Sequence, residues 1–166
     1  MFQQLDLDAI ADPGDKIREC EFFLNQASAE VDRTRFRWFI SAYLNAVYSY
    51  FETTAMYASV AFTDPKTGYP IEDTEAIEKL RTYVSASQSK RNPYYVKTSG
   101  IHPVIARVFE IRKVATHHFP LAIMTVGPNL PEDFHLGYLK DKSVPLLALC
   151  REVLAIVKNA QNEIDK

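Results

Sequence analysis

Apolar residues recur at spacings of three and four along most of this 166-residue chain, which is the pattern of amphipathic helices. The first predicted helix begins at Asp12 and Pro13, where a capping side chain precedes a first-turn proline, and its apolar stripe runs to Val31. The second begins near Arg33 and runs to about Ala61 with apolar residues on nearly every face. We therefore expect the second helix to be the buried, central one.

Three more helices are predicted farther along the chain. The third begins at Glu72 and fades in the polar run 85–92, the fourth spans residues 102–120, and the last begins near Ser143 and Pro145. Predicted loops cover residues 63–70, 92–100 and 127–143, and the run 121–126 is either an extended segment or a small strand. The pattern predicts an all-α bundle of about five helices, in one domain that spans residues 1–166.

Composition narrows the class of protein further. With 47% hydrophobic and 24% charged residues, the chain can bury one sizeable core. No apolar run reaches the roughly 18 residues of a membrane span, and the first eleven residues lack the features of a signal peptide, so a cytoplasmic protein with no membrane partner is expected. Cys20 and Cys150 fall on apolar stripes and are predicted to be buried free thiols.

Positive charge is concentrated in the second half of the chain. Residues 81–131 contain seven lysines and arginines against Glu110 alone, a net charge of +6, which leaves −8 for the rest of a chain whose total is −2. His102, His117 and His118 lie in the same stretch. This distribution favours a surface that meets a polyanion.

Arg112 occupies an unexpected place in the fourth predicted helix. At 100° per residue from Val104 it lies at roughly 80°, inside the apolar stripe that spans roughly 340° to 140°. Its neighbours at three and four residues are Val108, Phe109, Ala115 and Thr116, and none of them is acidic. Because a guanidinium at an apolar surface needs a polar or anionic partner, Arg112 either pairs with a distant carboxylate or faces a substrate. The candidate carboxylates are Glu30, Asp32 and Glu52.

Arginine and histidine together can cleave a phosphodiester without a metal ion. Histidine transfers protons near neutral pH, and the arginine fork matches phosphate oxygens and stabilises transition-state charge. His117 and His118 follow Arg112 closely, although both are also explained as residues that complement the end of a helix. On an unbroken helix Arg112 and His117 diverge by roughly 140°. Either the helix frays before Pro120, the partners come from two subunits, or His118 replaces His117.

Two segments resemble a known family. The string 111–118, Ile-Arg-Lys-Val-Ala-Thr-His-His, resembles the Arg-x(4 to 6)-His signature of HEPN-like proteins, the higher eukaryote and prokaryote nucleotide-binding superfamily. Residues 36–47, Phe-Arg-Trp-Phe-Ile-Ser-Ala-Tyr-Leu-Asn-Ala-Val, resemble the long second helix of bacterial members. The resemblance implies a helical bundle that dimerises about a two-fold axis and cleaves RNA without metal. Arg112 and His117 would be the motif residues, and Lys113 stands where many members have asparagine.

Several further residues and partners follow as predictions. Tyr94 and Tyr95, with Lys90 and Arg91 beside them, either offer a stacking surface to nucleic-acid bases or pack in a loop. No metal or cofactor is expected, because adjacent histidines diverge on a helix and the five glycines are not grouped. The predicted partners are RNA or a nucleotide, a second copy of the chain, and a protein of the toxin-antitoxin type. The alternative function is a catalytically inactive binding module or a homodimeric scaffold.

Overall fold

Helices and short strands alternate along the chain in the computed structural model, which describes residues 12–92, 95–137 and 143–166. The helices are α1 (Pro13–Ser28), α2 (Arg33–Ser59), α3 (Thr74–Leu80), α4 (Pro103–His117) and α5 (Leu146–Ile164). The strands are β1 (Phe62–Thr63), β2 (Pro70–Ile71), β3 (Val84–Gln88), β4 (Val96–Gly100), β5 (Ile123–Thr125), β6 (Phe134–Leu136) and β7 (Val144–Pro145).

The prediction of an all-α fold is wrong. Three small antiparallel sheets accompany the helices: β1 pairs with β2, β3 with β4, and β5, β6 and β7 form the third in that order. The polar run predicted as a fading helix end forms β3, and β4 and β6 lie in stretches predicted as loops. These strands have two to five residues and pair with strands close to them in the chain. Their alternation of apolar and polar residues is therefore too short to be recognised in the sequence.

Helix starts are determined by side chains that accept hydrogen bonds from the first turn. Asp12, Asp32 and Asp73 accept from backbone N–H groups at the starts of α1, α2 and α3. At α4 the ring of His102 accepts from the N–H of Val104, and Pro103 occupies the first turn. Caps of this kind satisfy donors that the helix itself leaves unpaired, which explains why the predicted starts of α1, α2 and α4 agree closely with the observed ones.

The core is built around α2, which contacts each of the other four helices and the β3–β4 hairpin. Its fully buried side chains include Phe36, Tyr43, Tyr50 and Phe51. The Tyr43 hydroxyl donates to the backbone carbonyl of Cys150 at 2.7 Å, so a polar group in the core has its partner. Although α2 has 27 residues, none of the helices in the described ranges combines the length and apolar character needed to cross a bilayer.

The two cysteines are free and buried, as predicted. Cys20 lies on α1 and Cys150 on α5, and both belong to the hydrophobic core. Burial raises the pKa of the Cys20 thiol to about 12 and raises that of Cys150 as well. Both side chains therefore remain thiols at neutral pH and act as small apolar groups.

Candidate functional site

A cavity of about 590 Å³ lies between α2, α4 and the β3–β4 hairpin, and we call it the α4 cavity. Helix α2 contributes Tyr48 and Glu52, and the hairpin contributes Tyr95 and residues 97–100. The largest share of the wall comes from α4, through six residues between Ala106 and His117. This volume falls within the range of small-molecule and cofactor sites.

The face of α4 that lines the cavity is its polar side. Phe109, Lys113 and His117 recur every four residues and so share one face of the helix. Arg112 and His117 both line the cavity, although five residues on an unbroken helix place them roughly 140° apart around its axis. Helix α4 continues to His117, so no fraying is needed for that side chain to line the cavity.

Arg112 is held by two side chains of α2. Its Nε donates to the Oδ1 of Asn45 at 3.0 Å, and its Cζ lies 3.9 Å from the centre of the Tyr48 ring. Ring stacking and a hydrogen bond through Nε define both the plane and the direction of the guanidinium. Within the described ranges Arg112 makes no other side-chain hydrogen bond, so its two terminal amino groups remain available to a ligand.

The carboxylates proposed as partners for Arg112 form no ion pair with it among the described residues. Glu30 pairs with Arg35 at 2.8 Å, and Asp32 caps α2. Glu52 lines the α4 cavity, but in the part of the chain that the structure describes it forms no ion pair with Arg112. The arginine is thus supported by a neutral amide and an aromatic ring, which orient its charge without neutralising it.

Tyr48 forms the floor beneath Arg112 and is half-buried. Partial burial, together with the adjacent carboxylate of Glu52, raises the pKa of Tyr48 to about 12. The positive charge of Arg112 opposes this shift. The phenol is therefore protonated at neutral pH, with its hydroxyl hydrogen-bonded to the Glu52 carboxylate, and it presents a neutral ring to Arg112.

Positive charge outweighs negative charge in the wall of the cavity. The lining contains the cations Lys97, Arg112 and Lys113 and the carboxylates Glu52 and Glu110. The other cations of the basic stretch lie away from the cavity: Arg81 pairs with Glu78, whereas Lys90, Arg91 and Arg107 are exposed. The fold therefore brings together only some of the basic residues of the stretch 81–131, and those residues line the α4 cavity.

The predicted site residues divide into three groups. Arg112, His117, Lys113 and Tyr95 line the α4 cavity. His118, Lys90 and Arg91 are exposed and lie outside its lining, since His118 ends α4 and the other two follow β3. Tyr94 lies outside the described residues. Across those residues, no group of three His, Cys, Asp or Glu side chains is arranged to hold a metal ion.

Two parts of the site were not predicted from the sequence. On α2, Asn45 and Tyr48 were not predicted, and they are spaced by three and four residues with Glu52, so the three form a polar stripe beside the apolar positions of the helix. That stripe is a signal that periodicity alone could have found. Thr98 and Gly100 belong to β4, and no sequence pattern indicated that this strand would meet α4.

Arg112 also lines a second, smaller cavity of about 130 Å³. The lining of this cavity includes Ser41 and Asn45 of α2 and Thr116 of α4. The Thr116 hydroxyl donates to the backbone carbonyl of Arg112 at 2.7 Å. Arg112 is therefore common to the linings of both cavities.

Replacing Gly100 by alanine is expected to destabilise the fold by about 1–3 kcal/mol, because overpacking must be relieved by a backbone shift. A Cβ at this position would lie 2.5 Å from the Cα of Ala106 and 2.6 Å from its backbone nitrogen. Urea unfolding measures the effect, and Ser99→Ala, an exposed neighbour, is the control that should change stability by less than about 0.5 kcal/mol. Equal stability of the two variants would contradict this close approach of strand and helix.

Comparison with known protein families, curated proteins and solved structures finds no match for this chain. The resemblance to HEPN-like proteins therefore stays a prediction.

Proposed function

We propose that this protein binds RNA in the α4 cavity and cleaves it there without a metal ion. One observation carries the proposal: Arg112 is held by Asn45 and Tyr48 in the wall of a cavity whose lining also includes His117. The resemblance of residues 111–118 to the HEPN-like signature supports the same pair of residues. An arginine with its terminal amino groups available, in the same cavity as a histidine, suits phosphodiester chemistry.

Phosphate binding is assigned to Arg112 and the two lysines. Asn45 occupies the Nε of Arg112, which leaves the terminal amino groups for two oxygens of one phosphate. Lys97 and Lys113 add positive charge to the same cavity. Because these contacts displace counterions, RNA affinity should fall as salt concentration rises.

Cleavage is assigned to transesterification within the RNA chain. The ribose 2′-oxygen forms a bond to phosphorus as the bond between phosphorus and the 5′-oxygen breaks. The proton of the 2′-hydroxyl is transferred to the departing 5′-oxygen, and His117 is the group that moves it. Arg112 stabilises the negative charge on the phosphorane oxygens. The products are a 2′,3′-cyclic phosphate and a 5′-hydroxyl, and no metal or second substrate is consumed.

A homodimer is part of the proposal, because the resemblance implies that two arginine-histidine segments meet across a two-fold axis. In this chain Arg112 and His117 of one copy already share a cavity. We therefore assign one complete pair to each subunit. Dimerisation would then bring the two pairs near each other, and each subunit would use its own arginine.

The decisive experiment incubates a mixed RNA pool with the protein, both without chelator and in its excess, and compares His117→Ala with His118→Ala. The two histidines are adjacent and exposed, but only His117 lines the cavity. Loss of a proton-transfer group is expected to slow cleavage by about 10² to 10⁴-fold in His117→Ala, whereas His118→Ala should cut at the wild-type rate. Detection of 2′,3′-cyclic phosphate ends identifies the reaction.

Three outcomes would contradict the proposal in different ways. If the wild-type protein leaves RNA intact, the protein is not a ribonuclease, and if the RNA still binds, it is an inactive binding module. If both variants lose cleavage to the same extent, His117 is not the specific proton-transfer group. Cleavage that stops with chelator shows that the reaction needs a metal ion.

A further inference from the structure

Glu52 is a half-buried carboxylate in the wall of the α4 cavity, which it lines together with Arg112 and His117. In the ranges that the structure describes, it forms no ion pair with a cation. A carboxylate repels a bound phosphate, so its presence in this lining opposes binding. A part in the reaction itself would explain why a carboxylate stands there.

Displacement at phosphorus sets a geometric requirement that one histidine does not meet. The attacking 2′-oxygen and the departing 5′-oxygen are roughly in line, on opposite sides of the phosphorus atom. The group that accepts the proton of the 2′-hydroxyl therefore cannot protonate the 5′-oxygen at the same moment. Two groups, one on each side of the phosphate, are required if both proton transfers are to assist the transition state.

The contacts between α2 and α4 show that the two helices run in opposite directions. Phe51 lies against Phe109, with ring centres 6.1 Å apart. One turn earlier on α2, the ring of Tyr48 contacts both Phe109 and Arg112. Asn45, earlier again, accepts a hydrogen bond from Arg112. Earlier positions of α2 therefore meet later positions of α4.

This arrangement places Glu52 and His117 on opposite sides of Arg112 along the helix axes. Glu52 is four residues beyond Tyr48, which is about 6 Å toward the start of α4. His117 is five residues beyond Arg112, which is about 7.5 Å toward the end of α4. Side chains of an α-helix lean toward its N-terminus. Because the helices are antiparallel, the two side chains lean toward each other, and the level of Arg112 lies between them.

We propose that Glu52 is the base of the cleavage reaction and takes the proton of the 2′-hydroxyl, while His117 protonates the departing 5′-oxygen. This inference rests on the proposed function and divides its proton transfer between two groups. A carboxylate accepts a proton, and an imidazole can carry one near neutral pH, so the chemistry of the two groups sets the direction.

The step balances without another reactant. As the 2′-oxygen bonds to phosphorus, its proton moves to the Glu52 carboxylate. As the bond between phosphorus and the 5′-oxygen breaks, a proton moves from the His117 imidazolium to that oxygen. Exchange with water then returns both groups to their starting states. Arg112 keeps its contact with the phosphate oxygens throughout.

Glu110 is the other carboxylate of the lining, and the surroundings of the two select Glu52. The Tyr48 hydroxyl donates to the Glu52 carboxylate, and the same Tyr48 ring stacks on Arg112. Glu52 therefore has a defined place one ring away from the guanidinium. Glu110 is exposed on the surface of α4. A general base must be held within reach of the proton that it takes, which favours the carboxylate that is already oriented.

The test uses two RNA oligonucleotides that differ in one bridging atom at a single cleavable linkage. One has the natural 5′-oxygen, and the other has sulfur there, which leaves as a thiolate and requires no proton. With the oxygen linkage, Glu52→Gln and His117→Ala should each cut about 10² to 10⁴-fold more slowly than the wild type. With the sulfur linkage, His117→Ala should recover to within about tenfold of the wild type, whereas Glu52→Gln should remain slow.

Two further variants separate a base from a residue that only supports the site. Glu110→Gln removes the same charge from the same lining and should cut both linkages as the wild type does. Tyr48→Phe keeps the ring beneath Arg112 but removes the hydroxyl that orients Glu52. It should show a smaller loss of cleavage that sulfur does not restore, with Glu52 still in place. Circular dichroism checks that each variant is folded.

The possible failures are distinguishable. If the wild-type protein leaves the oxygen linkage intact, the proposed function is overturned. If the wild type cuts and Glu52→Gln cuts equally fast, Glu52 is not the base, although the proposed function stands. The same conclusion follows if sulfur restores Glu52→Gln as it restores His117→Ala. A loss in Glu110→Gln that sulfur does not restore would assign the base to Glu110 instead.

Discussion

Replacement of Arg112 by alanine is expected to slow RNA cleavage by about a thousandfold, because one preorganised donor to transition-state charge is worth about 10² to 10³ in rate and Arg112 presents two. Arg112→Lys should recover little of this loss. A lysine ammonium can meet a phosphate, but it cannot also bond Asn45 through Nε and stack its plane on Tyr48. Single-turnover cleavage of a labelled RNA in excess chelator measures both variants.

The matched control is Arg107→Ala, because Arg107 is exposed on the same helix and lies outside the cavity lining. It should keep the wild-type rate. Among the described residues Arg112 is held by one hydrogen bond to an amide and one stacked ring, so its loss should cost about 1–2 kcal/mol. A loss of several kcal/mol on urea unfolding, with residual cleavage in proportion to the folded fraction, would instead assign Arg112 a structural role.

The second large effect is expected in the core, where Phe51→Ala should lower the free energy of unfolding by about 3–5 kcal/mol. Phe51 is fully buried, and its ring centre lies 5.0 Å from that of Tyr50 and 6.1 Å from that of Phe109. The change removes a large apolar side chain and leaves a cavity that its aromatic neighbours cannot fill. Urea unfolding followed by circular dichroism gives the difference.

Phe22→Ala is the comparison for Phe51→Ala, since Phe22 is 56% exposed on α1 and should change stability by less than about 1 kcal/mol. Phe51→Leu should fall between the two. A cost below about 1 kcal/mol for Phe51→Ala would show that the core around α2 is not packed as described. Because Phe109 also lines the α4 cavity, Phe51→Ala is further expected to reduce cleavage by the protein that remains folded.

Helices were predictable from this sequence because their signals are local and repeated. Asp12, Asp32 and the proline at position 103 mark helix starts through contacts within the first turn. The strands escaped prediction for the opposite reason. In β3, only Val84 is buried, so the serines and the glutamine that follow it show no apolar alternation, and their pairing with β4 depends on contacts that no local pattern encodes.

The candidate site was predictable on α4 and hidden elsewhere. Arg112 was conspicuous because it breaks an apolar stripe, and both Lys113 and His117 were found through it. Asn45 and Tyr48 could not be paired with Arg112 from the sequence, since 67 residues separate Asn45 from Arg112 and only the packing of α2 against α4 brings them together. A carboxylate was one expected partner of Arg112, whereas the fold supplies the amide of Asn45 and the ring of Tyr48.

The contact between Gly100 and Ala106 has a consequence for how this pocket can diversify. The two main chains approach closely at that point, so the spacing between β4 and α4 there depends on the backbone and not on side chains. Exchanging Lys97, Glu110 or Lys113 would change the charge of the cavity lining and leave the spacing of β4 and α4 unchanged at Gly100. Chains that keep glycine at position 100 can therefore differ in the ligands they bind and still keep this spacing between strand and helix.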